Sequence, residues 1–200
     1  MITIKRIISL FLCACFLTFF TACAGNKNNF KETSETSNDN ADTEISLKEY
    51  ADISNLILRP DTYTLNVKDL NLPTENIFIE NERMTGFDYI LLSGVFGTLT
   101  VYKNGGTVSS LLFSGTPFND ENEFSTALDE LNSDIADRCG MEIAEPVFTF
   151  KGEKTDEVKM IFDGTGIVSY KYDSEKLKIN IRGCGVNGEA AIMVEASPIN

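Results

Sequence analysis

Residues 87–113 read FDYILLSGVFGTLTVYKNGGTVSSLLF, and their punctuation decides the fold. Phe87–Leu92 is apolar and β-prone, Gly94 and Gly97 interrupt, and Thr98–Tyr102 alternates polar with apolar. Asn104-Gly105-Gly106 then separates that run from Thr107–Phe113. An Asn-Gly pair between alternating runs is the strongest short-range hairpin signal, because both turn residues tolerate positive φ. The stretch predicts three antiparallel strands in a meander.

Downstream the period changes. Phe124, Ala127, Leu128, Leu131, Ile135 and Cys139 recur at helical spacing, with Asp129, Glu130, Ser133 and Asp137 on the other side. That predicts one long amphipathic helix, opened by Asp120 with Glu123 and closed by Gly140. Period two then returns. Val147–Phe150 follows Pro146, and Val158–Phe162 and Ile167–Tyr172 flank Asp163-Gly164-Thr165-Gly166 as an expected hairpin. Leu177, Ile179 and Ile181 alternate with Lys176, Lys178, Asn180 and Arg182, and Ala190–Ala196 closes the chain. Upstream, Ser46–Glu49 has the form of a capping box with Ile45 as staple, which predicts a short helix burying Leu47, Tyr50, Ala51 and Ile57. Strands are expected at Tyr63–Val67 and Asn76–Ile79. Strand runs interrupted by one long helix predict an α+β domain: an antiparallel sheet of meander and hairpins with that helix packed on it.

The N-terminus belongs to another kind of sequence. Lys5 and Arg6 precede an uncharged apolar run from Ile7 to Ala22, shorter than the roughly 20 residues of a membrane-spanning helix. Phe20-Thr21-Ala22-Cys23 resembles the lipobox of bacterial lipoproteins, with Phe20 where Leu is usual. The resemblance implies that residues 1–22 are a cleaved signal peptide and that Cys23 is lipidated. Its acyl chains would hold the protein to the cell membrane, facing outside the cytoplasm. Residues 24–44 are polar and poor in apolar side chains, which predicts a disordered tether after the lipidated cysteine. Residues 45–200 have the size expected of a single domain, which the resemblance would place outside the cytoplasm.

Charge and composition narrow the function. Five of the 30 acidic and four of the 17 basic residues precede Ile45, so residues 45–200 carry 25 and 13, a net charge of −12. Such a surface disfavours nucleic acid and anionic lipid and favours a basic partner. The chain has no histidine, which excludes Ser-His-Asp and Cys-His relays and imidazole metal ligands. Gly183-Cys184-Gly185-Val186-Asn187-Gly188 matches a dinucleotide fingerprint, but only 12 residues follow it, too few for the helix and second strand that fold requires. Asn187-Gly188 reads as a hairpin turn instead. Asn38, Asn40 and Asp42 alternate like calcium ligands, yet Thr43 stands where the loop needs Gly. No cofactor and no metal are expected.

Cys139 and Cys184 are the only cysteines after residue 44, and an oxidising compartment would permit a disulfide between them. Buried free thiols are the alternative. Asp129, Glu130 and Asp137 are candidate carboxylates for acid–base work, and Tyr102, Tyr170 and Tyr172 a candidate ligand platform or, alternatively, core. The expectation is a non-catalytic binding module at the cell envelope, with a protein, peptide or glycan partner. The alternatives are a carboxylate-dependent envelope hydrolase and an accessory solute-binding lipoprotein.

Overall fold

The computed structural model describes residues 50–199. The expected signal, Cys23, the tether and the whole capping box Ser46–Glu49 with Ile45 lie outside them.

Among the described residues, nine strands form one sheet in the order β1-β3-β4-β5-β9-β8-β7-β6, with β2 also pairing β3. The strands are β1 (Ala51–Asp52), β2 (Ile77–Glu80), β3 (Met84–Leu92), β4 (Val95–Asn104), β5 (Thr107–Gly115), β6 (Val147–Phe150), β7 (Gly166–Asp173), β8 (Leu177–Val186) and β9 (Glu189–Pro198). Helix α1 spans Glu121–Cys139 and α2 spans Glu157–Phe162. This is the expected α+β class, with antiparallel pairing throughout except at β1–β3.

Two meanders, β3-β4-β5 and β7-β8-β9, join where Leu111–Ser114 meets Met193–Ala196. Because side chains alternate along each strand, register assigns every residue to a face. One row of opposed residues, Phe87, Leu99, Phe113, Val194, Ile181 and Tyr170, crosses six strands, and all six are buried. This is the inner face. Helix α1 lies over its β7–β9 half. A Cβ on Gly183 would come within 2.6 Å of Phe124 Cζ, so the glycine is what lets the helix approach β8 so closely. Ile53, Ile57, Tyr63 and Leu70, from the irregular segment before β2, belong to the same core.

The helix forms where its sequence places it. The Asp120 carboxylate accepts from the backbone N–H of Asn122 and Glu123, and Gly140 ends the helix at φ 62°. Phe124, Leu128, Leu131 and Ile135 are buried. Asn132, on the same stripe, is buried as well.

Three local expectations are overturned. Ala51–Asp52 is a strand and the chain then turns, so no helix carries Tyr50, Ala51 and Ile57. Tyr63–Val67 is no strand: Pro60–Thr64 and Val67–Asp69 are 3-10 turns, with Pro60 supplying a φ suited to helical entry. Val158–Phe162 lies in α2, whose Asp156 side chain accepts from Lys159 N–H at 3.1 Å. That cap, with Val158, Ile161 and Phe162 at helical spacing, outweighs the β-prone composition.

Candidate functional site

The two faces of the sheet divide the candidate residues. Tyr170 and Tyr172 are on the inner face and buried, whereas Tyr102 is half-buried on the outer face, so the three make no platform. The Tyr172 hydroxyl donates to Asn132 Oδ1 and accepts from Ala144 N–H at 3.1 Å. It thereby satisfies the buried amide that the apolar stripe leaves unexplained. Burial pushes both tyrosines above their ordinary pKa, with Asp129 adding to the rise at Tyr170.

Asp129, Glu130 and Asp137 are exposed along α1. Cys139 and Cys184 are free thiols. Of the two alternatives the sequence leaves open, the bridge between them is not formed, and the reason is topological. Cys139 ends the helix on the inner face, while Cys184 opposes Ala191 and Ile167 on the outer face, 3.8 Å from Met193 Sδ. Burial raises both thiols, which keeps them protonated and poorly nucleophilic. Gly183–Gly188 is the end of β8 and its turn: Asn187 (φ 56°) and Gly188 (φ 85°) make the hairpin to β9.

A concave aromatic surface lies instead between the β3–β4 turn and α1. Tyr50, Val95, Phe96, Pro117 and Phe118 line a cleft of about 400 Å³, with Ser93, Thr116, Ala127 and Glu130 around them. Tyr50 packs on Phe96 with ring centroids 4.3 Å apart and meets Tyr89 edge-on at 5.8 Å. Tyr50 is 41% and Phe96 48% exposed, so large apolar area faces solvent here.

The wall of this cleft is pinned. Ser93 (φ 47°) and Gly94 (φ 83°) turn β3 into β4. Ser93 N–H donates to Ser54 Oγ at 2.9 Å, and the Ser93 hydroxyl donates to Asp134. Arg138 Nε donates to both Asp134 oxygens at 2.8 Å, and its Nη1 donates to Asn55 Oδ1. This chain of bonds fastens the turn, the segment after β1 and α1 to one another. With its oxygens engaged by Arg138 and Ser93, Asp134 is a clasp rather than an available base. Of the expected carboxylates only Glu130 reaches the cleft. Sequence reasoning missed the cleft because its walls come from Tyr50, the β3–β4 turn, residues 116–118 and α1, and only the topology brings them together.

A second, smaller groove of about 340 Å³ crosses the outer face at Lys171, Asp173, Lys178, Asn180, Glu195 and Ser197. Arg182 lies 3.7 Å from Glu195 beside it. Among the described residues, no group of three or more Cys, Asp or Glu is arranged to hold a metal ion, and no helix is long and apolar enough to cross a membrane. Comparison of the chain with protein-family models, with curated proteins and with solved structures finds no match.

Proposed function

We propose that this chain is a membrane-anchored bacterial lipoprotein, held through Cys23, whose domain is a non-catalytic binding module at the cell envelope. The observation that carries the binding reading is the exposed Tyr50–Phe96 pair at the mouth of the pinned cleft. Aromatic side chains give large contact area at small conformational cost, and partly exposed ones on a rigid wall are characteristic of recognition surfaces. Glu130 at the rim and the acidic surplus of residues 45–200 favour a partner that presents an apolar or planar group beside a basic one. A basic protein or peptide segment fits that description better than a neutral glycan does.

The test is capture of partners by the full chain from envelope extract, at low and at physiological ionic strength. Phe96→Ala should reduce capture about tenfold, the scale of an aromatic hot spot. Glu130→Lys should weaken it most at low salt, where the attraction is least screened. Glycan or peptide hydrolysis abolished by one Asp or Glu substitution would replace this reading with the hydrolase. The anchor is checked separately by intact mass: the mature protein should begin at a lipidated Cys23, and a retained Met1 or an unmodified thiol there would refute it.

A further inference from the structure

The sheet ends at β6, and that end is chemically unlike the other. Lys151 N–H donates to Thr165 O at 2.8 Å, and Val147–Phe150 pairs with Ser169–Gly166. Directly opposed residues in an antiparallel ladder alternate between bonded and non-bonded pairs. Val147 and Thr149 therefore bond to β7, while Phe148 and Phe150 direct their N–H and C=O outward. No strand among the described residues pairs with that side. The edge strand is short, but its four residues, VFTF, include no charge and no Pro. Of the eleven large hydrophobics with exposed side chains among the described residues, Ile143, Val147, Phe150 and Ile167 gather at this end.

Charge identifies what fits the edge. Glu142 and Glu145 precede the strand and Lys151 and Lys154 follow it, all exposed. An antiparallel partner of the same sequence would set the acidic end of one strand against the basic end of the other. Of the two-fold registers that let Phe148 or Phe150 bond across the edge, the one centred on Phe148 aligns them. It places Glu145 opposite Lys151; Lys154 lies beyond the bend at Gly152 (φ 91°), paired with Glu157 of its own chain, and takes no part. Centring on Thr149 would instead oppose Glu145 to Glu153, and centring on Phe150 would oppose Glu145 to Thr155. In the Phe148 register the two Phe148 residues exchange both backbone bonds, and each Phe150 N–H reaches the Pro146 carbonyl of the other copy, the one outward group there that a proline keeps.

We propose that β6 is a self-association edge, through which a second copy of this chain adds antiparallel about Phe148 and continues the sheet. The inference is independent of the anchor and of the aromatic cleft. Four residues per copy is a small contact beside standard interfaces, so the pairing is weak and calls for covalent trapping.

The experiment uses the purified full chain with all five native cysteines, Cys13, Cys15, Cys23, Cys139 and Cys184, replaced by Ser, oxidised and resolved on a non-reducing gel; this background with Phe148 intact sets the baseline. Phe148→Cys should form a disulfide dimer, because opposed bonded residues lie about 5.5 Å apart at Cα, within disulfide reach. Thr149→Cys, opposite Val147 in this register, should stay near baseline. In the Phe148→Cys chain, Glu145→Lys or Lys151→Glu should each lower the dimer yield several-fold, on the order of fivefold, since each turns two attractive pairs into repulsive ones. The double reversal should restore it. If Phe148→Cys fails to fold, Val147→Cys with Thr149→Cys replaces only exposed side chains, places each cysteine opposite the other, and must cross-link in the same register. Dimer yields equal at Phe148→Cys and Thr149→Cys, yields indifferent to charge reversal, or cross-linking only to other proteins would overturn the proposal.

Discussion

The meanders β3-β4-β5 and β7-β8-β9 have the same topology and opposite surroundings. On the outer face β4 and β5 of the first present Thr98, Thr100, Tyr102, Ser110, Leu112 and Ser114, none of them charged. The second presents Lys171, Asp173, Lys178, Asn180, Arg182 and, from β9, Glu195. On the inner face the second is covered by a capped helix, whereas the first meets a segment of 3-10 turns that contributes Ile53, Ile57, Tyr63 and Leu70. At the outer edges, β1 and β2 both protect β3, while β6 alone follows β7 and leaves its own far side open. A three-stranded meander supplies only a half-apolar surface; what covers and borders it sets stability on the inner side and recognition at the rim.

The largest effect should come from the helix that covers the second meander. Leu131 is fully buried, and Leu131→Asp places an unpaired charge in the core. That costs several kcal/mol, on the order of 3–5, against a total stability of about 5–15. Urea unfolding should find the variant largely unfolded, whereas Asp129→Lys on the exposed side should shift the midpoint little. If both are tolerated alike, α1 is not the cover.

The irregular segment over the first meander is next. Ile57 is fully buried, though it sits in a turn. Its truncation to Ala should cost about 2–5 kcal/mol, as in any well-packed core, because cavity cost depends on packing rather than on secondary structure. A loss below about 1 kcal/mol would show that the segment rests on the sheet without completing its core.

These two covers were unequally legible in the sequence. The helix declares itself locally: Asp120, the stripe from Phe124 to Cys139 and Gly140 are contiguous, and each supports the same element. The meander is legible for the same reason, since Asn104-Gly105-Gly106 sits between its alternating runs. The segment 53–70 has no period, because its apolar residues are aimed by turns and by distant partners, as when Ile53 N–H donates to Leu91 O. Helix α2 was misread because Val158-Lys159-Met160-Ile161-Phe162 satisfies β-propensity, and only the Asp156 cap argues otherwise. The cleft and the β6 edge were invisible for a further reason. Both depend on which strand lies beside which, and no local pattern encodes that.

The smallest effect concerns one hydroxyl under the irregular cover. Tyr63 is buried, and its hydroxyl donates to Ile57 O at 3.0 Å. Replacing it with Phe leaves a buried carbonyl one donor short, a loss of about 1 kcal/mol at neutral pH. The same burial pushes the Tyr63 pKa well above its usual value of 10.0, since an ionised phenolate there would be poorly solvated. In the unfolded chain the phenol titrates near 10, so above that pH the unfolded state sheds a proton that the folded state keeps. The neutral phenol's contribution is thus complete below about pH 10 and falls away as pH rises further, because deprotonation then favours unfolding. Tyr102, Tyr170 and Tyr172 shift in the same direction, again through burial first, so the whole domain should lose stability in alkali. Thermal melts at pH 7 and pH 11 separate the contributions. Wild type should drop between the two pH values, and Tyr63→Phe should start slightly lower yet drop less, having no phenol at that position to ionise. An equal drop in both proteins would mean that Tyr63 is as accessible to solvent in the fold as out of it, and the irregular cover would then be looser than the helix it is compared with.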